Sequence, residues 1–195
     1  MTDEITQQNS FLGIPTETTE QERKLSVFRT MFPFVSSKAA LKEKYFAKGY
    51  AYSCLVFGME NKEAQASMNR YLELALEEYQ KSYEEAGSPE AIANLLWVMC
   101  VSYACTAEGE AAVISTEHTE SCYETGMLLI GILREVEEYR ALAEYYLALL
   151  YVIGMGSNGA GVDFNKKVGV EMMKALVLLG NPYAVSFQNE CEWVA

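Results

Sequence analysis

The chain is short of the residues that most often carry chemistry. It has one histidine, His118, so a multi-histidine metal site or a histidine-based catalytic triad lacks its material. His118 and Cys122 stand one helical turn apart and could share a face. Two ligands with no matching pair elsewhere do not make a zinc site, and neither a metal nor a cofactor is expected. The five cysteines, Cys54, Cys100, Cys105, Cys122 and Cys191, are odd in number, scattered, and form no Cys-x-x-Cys pair. They read as small buried hydrophobes in a reducing cytosol, not as a disulfide framework. Positive charge is scarce too: 15 Lys and Arg face 27 Asp and Glu, for a formal net charge of −12. Nucleic acid and anionic membranes require a basic footprint, so neither is an expected partner. A basic protein is the electrostatic expectation, set against the simpler reading that the charge keeps the chain soluble. Apolar runs such as Tyr145 to Ile153 fall far short of the roughly 20 residues that span a bilayer. Met1-Thr2-Asp3-Glu4 opens with neither a basic nor an apolar signal region, so no signal peptide is expected and a cytoplasmic location is the default. Alternating polarity is absent as well, which leaves no convincing strand.

What remains is helical. Half of the residues are hydrophobic and 22% are charged, enough for one sizeable core. Residues 1–18 are polar and non-periodic and read as a flexible segment, with Phe11, Leu12 and Ile14 as the only anchors. Residues 19–195 read as a single α-helical domain of about eight helices. Thr19 to Glu22 looks like a capping box that opens a helix through Phe28 and Phe32, which Pro33 helps to end. A second helix is expected from Ser36 or Ser37 to about Met59, with Lys38, Lys42, Lys44 and Lys48 on a solvated face. Residues 61–86 carry the cleanest amphipathic stripe, including Met68, Leu72, Ala75 and Tyr79. The stretch from Pro89 to about Ala107 is apolar all round through Leu95 to Val101 and should be packed on several sides. Further helices are expected near 116–138, 141–153, 165–179 and 182–193.

One short phrase occurs twice. Gly87-Ser88-Pro89-Glu90-Ala91 and Gly180-Asn181-Pro182-Tyr183-Ala184 share Gly-(Ser/Asn)-Pro-x-Ala. Gly supplies a left-handed residue that ends one helix, Ser or Asn caps the next, Pro suits its first turn, and Ala permits close approach. The copies are separated by about two periods of 45 to 48 residues, the scale of paired-helix arrays.

Residues 143–184 resemble a Sel1-like repeat, a relative of the tetratricopeptide helix pair. The resemblance rests on Ala143, Tyr145, Leu147, Tyr151 and Gly154, then Gly159-Ala160-Gly161-Val162, Gly169, Gly180 and Ala184. Ala148 stands where the family usually has Gly, Asn165 where Asp is usual, Met172 where a large aromatic is common, and Leu176 where Ala is usual. A weaker echo lies upstream: Tyr79, Gly87 and Ala91 repeat the spacing of Met172, Gly180 and Ala184. Trp97, Met99 and Tyr103 likewise repeat that of Tyr145, Leu147 and Tyr151. The resemblance implies antiparallel helix pairs stacked as a short superhelix, with the first helix of the pair lining its concave side. Glu144 and Tyr146 lie off the motif positions on that helix and are the expected partner contacts.

Other motifs dissolve on inspection. Gly154-Met155-Gly156-Ser157-Asn158-Gly159 is a literal G-x-G-x-x-G, but a dinucleotide site needs a preceding strand, a parallel sheet and an acidic residue beyond the following helix. Adjacent glutamates such as Glu77-Glu78 and Glu84-Glu85 diverge around a helix and do not converge on a substrate. The expected function is therefore non-catalytic: binding a basic protein as an adaptor, chaperone or inhibitor, with an immunity-type protein that masks a toxin as a sharper version. A small-ligand sensor or enzyme with an interhelical pocket is the rival. A homo-oligomer joined through apolar helix faces is the third reading.

Overall fold

The computed structural model describes residues 27–56, 65–108, 116–155 and 162–190. The expected flexible segment, the capping box at Thr19 to Glu22 and most of the glycine-rich loop lie outside them, as does the side chain of His118. The protein is all-α, and no strand occurs among the described residues. Helix α1 covers 27–31. It is followed by α2 (Lys44–Val56), α3 (Gln65–Ala86), α4 (Pro89–Glu108), α5 (Thr116–Arg134), α6 (Arg140–Val152), α7 (Val162–Leu178) and α8 (Pro182–Glu190). Single turns of 3-10 helix at Ala40–Lys42 and Glu137–Tyr139 precede α2 and α6. Among these described residues no helix is long and apolar enough to cross a membrane.

The twice-used phrase does at both sites what its residues require. Gly87 and Gly180 take φ of +63° and +75°, left-handed conformations that side chains disfavour. At the end of α7, Gly180 N–H donates to Val177 and Asn181 N–H to Leu176, which satisfies carbonyls the helix leaves open. Pro89 and Pro182 each begin the next helix. Asn181 Oδ1 caps α8 by accepting from the N–H groups of Tyr183 (3.1 Å) and Ala184 (3.2 Å). Ala91 and Ala184 are fully buried. The junction midway between these copies has no such phrase. There the chain turns through Val136 and the 3-10 helix at Glu137–Tyr139.

The helix expected from Ser36 or Ser37 begins later, at Lys44. Glu43 is the reason. Its carboxylate accepts from the N–H groups of Tyr45 (2.9 Å) and Phe46 (2.6 Å), so it caps α2. Burial works against the charge on Glu43, yet these bonds outweigh it and its carboxyl is held below the ordinary value. Ser37 caps only the preceding 3-10 turn, through the N–H of Ala40.

Helices α2 and α3 run antiparallel, as do α5 and α6. Tyr52 meets Tyr71 near one end of the α2–α3 pair, and Lys48 meets Glu78 nearer the other. Arg134 meets Glu144 and Tyr123 meets Tyr151 at opposite ends of α5 and α6. Gly126 on α5 faces both Met99 of α4 and Leu150 of α6. Beyond these sequential contacts, α4 packs on α6, and α6 on α8. Asn181 fastens the start of α8 to the start of α6, its Nδ2 donating to the carbonyl of Ala141 at 2.7 Å. Helices α4, α6 and α8 thus form one row, and α3, α5 and α7 are interleaved with it in sequence. Each pair has an apolar face that only its neighbours can cover. The core between them holds Trp97, Tyr79, Tyr145, Tyr146 and Phe46, all fully buried.

Close approach of α6 and α7 depends on Gly169. A Cβ there would stand 2.3 Å from the backbone nitrogen of Val152, whereas one at Gly131 on α5 would meet nothing within 4 Å. Gly169→Ala should therefore destabilise the protein by about 1–3 kcal/mol despite the better helix former. Gly131→Ala should stabilise it by about 0.5–1 kcal/mol. Urea unfolding midpoints followed by circular dichroism compare the two, and shifts of the same sign would contradict this account of the α6–α7 contact.

Candidate functional site

Pro33 stops α1 by disfavouring helical backbone before it and removing a donor. The last helical bond runs from Phe32 N–H to the carbonyl of Phe28. From Pro33 to Ser37 the chain has no regular structure, yet all but the exposed Ser36 are partly buried, so their polar groups need partners outside any helix or sheet. Helices α4 and α6 provide them. Tyr145 donates its hydroxyl to the carbonyl of Met31 at 2.8 Å. The Trp97 indole Nε1 donates to the carbonyl of Phe32 at 2.9 Å. The Tyr146 hydroxyl donates to the carbonyl of Pro33. Asn94 serves both sides of Val35: its Nδ2 donates to the carbonyl at 2.9 Å and its Oδ1 accepts from the N–H at 2.8 Å. At the far end the Ser37 hydroxyl donates to Glu90 at 2.9 Å.

Side chains complete the seat. Phe32 is buried, with its ring 5.1 Å from that of Phe28. The ring of Phe34 lies 5.3 Å from Trp97 and 5.4 Å from Tyr50 on α2. Asn94 also neighbours Tyr79, whose hydroxyl lies 3.0 Å from Ser53 Oγ, so the polar contacts continue inward from the segment to α3 and α2. Burial pushes the phenols of Tyr79 and Tyr146 well above their ordinary value, so both remain neutral hydrogen-bonding groups near neutral pH. Glu90 behaves in the opposite way. Burial disfavours its charge, but hydrogen bonds from Ser37, its own backbone N–H and Ser88 hold its carboxyl below the ordinary value. A carboxylate therefore faces the Ser37 end.

The two expected contact residues are not brought together as one surface. Tyr146 is fully buried beneath Pro33. Glu144 turns toward α5, where its Oε2 accepts from Arg134 Nη2 at 2.9 Å. Arg134 Nε lies 2.8 Å from Oε1 but is not aligned as a hydrogen bond. Sequence reasoning passed over the residues that do hold the segment, Asn94, Trp97 and Tyr145, in their role as donors. Two signals were available. Trp97 and Tyr145 occupy equivalent positions in the upstream echo, and each donates to the same stretch of backbone. Asn94 is an amide beside the apolar run Leu95 to Val101, and a buried amide demands partners.

Other candidates gain nothing from the structure. Leu149 to Val152, just before the glycine-rich stretch, belong to α6 and supply no strand for a dinucleotide site. Among the described residues no group of three or more His, Cys, Asp or Glu could hold a metal ion. Cys100 is buried near Cys122, and burial pushes both thiols up, away from thiolate chemistry. A shallow depression on α7 between Val168, Met172 and Ala175 is apolar and open to solvent. Compared with known proteins, the chain matches no family model, no curated sequence and no solved structure.

The segment's seat sets a ranking of substitutions. Asn94→Ala leaves the N–H and carbonyl of Val35 without partners and should cost about 2–4 kcal/mol, against about 1–2 for Tyr146→Phe. Glu144→Ala removes a half-exposed ion pair and should cost less than about 1 kcal/mol. Chemical unfolding of the three variants checks the order, and equal losses would show that the segment is not held through these groups.

Proposed function

We propose that the chain is a Sel1-like, tetratricopeptide-like repeat module that binds another protein and performs no catalysis. One observation carries this reading: α4 and α6 already hold the end of α1 and the irregular stretch after it by the main chain, the task a peptide-binding groove performs. The net charge of −12 favours a basic partner, steered by acidic helix faces and then held by aromatic anchors in the groove. An adaptor, chaperone or inhibitor acting in the cytoplasm fits this description, and an immunity-type protein that masks a basic toxin is its sharpest form.

Affinity capture from native lysate at low and high salt, followed by rebinding of each purified candidate, tests the proposal. The expected result is one basic protein that rebinds directly and weakens as salt rises, because the steering charges are exposed. A retained small molecule with no co-eluting protein would favour a ligand-binding role and overturn the proposal.

A further inference from the structure

The stretch from Met31 to Val35 is fixed chiefly through groups that every polypeptide carries. Trp97, Tyr145 and Tyr146 each address a carbonyl, and Asn94 addresses a carbonyl and an N–H. Such donors set the path and register of a bound segment without identifying it. Side-chain selection is confined to a closed pocket for Phe32 and to the place of Phe34 between Tyr50 and Trp97. Pro33 spaces the two rings, and Glu90 waits at the Ser37 end. Nothing in this set separates residues 31–37 of this chain from a similar segment on another protein.

Resting on the protein-binding reading above, we propose that residues 31–37 are a tethered, displaceable occupant of a peptide groove on α4 and α6. The partner inserts an extended aromatic–Pro–aromatic–aliphatic segment that ends in a hydroxyl or basic residue opposite Glu90. Displacement does not require the helix stack to unfold. Between Val35 and α2 the chain makes a single 3-10 turn that packs on α2, so the segment lifts away ahead of that turn while α2 to α8 stay packed. The tether gives the resident segment a millimolar effective concentration, so a free peptide competes poorly and a natural partner needs added contacts elsewhere. The excess of acidic residues supplies them for a basic protein.

Hydrogen exchange of the full-length wild-type chain tests this without relying on any variant. The Val35 amide should exchange about 100-fold faster than core amides such as Val98 and Leu149, because the segment opens on its own. Adding a synthetic peptide of residues 30–38 in excess should speed Val35 exchange and leave the core amides unchanged. The same peptide, fluorescently labelled, should bind full-length Phe34→Ala about tenfold more tightly than wild type. It should lose about tenfold when either of its own phenylalanines becomes alanine. Val35 exchanging only as fast as the core would overturn the proposal, as would a helical Phe34→Ala protein that ignores the peptide. A dimer that exchanges its own residues 31–37 between copies would replace the partner by a second chain and overturn it equally. If the segment stays closed while a purified basic protein still binds, the binding reading stands and only the occupied groove falls.

Discussion

Backbone that leaves a helix but stays against the interior must find hydrogen-bond partners, and this requirement organises the molecule around residues 31–37. An unpaired buried carbonyl or N–H costs about 1–3 kcal/mol. Five backbone groups along Met31 to Val35, buried or partly buried, are met by four side chains on two helices. Those side chains are among the most deeply buried of the chain. They cannot reach their targets unless α4 and α6 lie side by side, with α2 closing over Phe34 through Tyr50. The stretch that leaves α1 and the seat built by α4 and α6 are therefore complementary in their hydrogen-bonding groups.

The stack itself follows from simpler rules. Gly, a capping Ser or Asn, Pro and a small Ala reverse the chain tightly at two places, and the apolar faces of successive pairs are covered only by their neighbours. Helices α4, α6 and α8 form a contacting row. Leu178 and Leu179, at the end of α7, are 88% and 82% exposed.

Much of the fold was legible in the sequence because helical periodicity and junction chemistry are local. The all-α class, the boundaries near Pro89 and Pro182 and the buried stripe of α3 follow from neighbouring residues. The start of α2 did not. Ser37 is a preferred capping type and Glu43 is not, and the use of Glu43 goes with a Ser37 hydroxyl that also donates to Glu90 on α4, a contact between distant parts of the chain. The seat of Met31 to Val35 was hidden for the same reason. A stretch after a proline looks like a linker, and the hints that backbone from elsewhere would arrive there were the equivalent positions of Trp97 and Tyr145 and the amide of Asn94 beside the apolar run Leu95 to Val101. Tyr146, expected to face a partner, shows the limit of carrying a concave surface over from a resemblance: here the chain's own Pro33 covers it.

The most direct test of this account is nuclear magnetic resonance of the uncomplexed protein, with proton–proton contacts read between the rings of Phe32 and Phe34 and the Trp97 indole. The account predicts those contacts, together with an indole Nε1 proton protected by its bond to Phe32. Random-coil shifts for residues 31–37 and a rapidly exchanging Trp97 indole would contradict it.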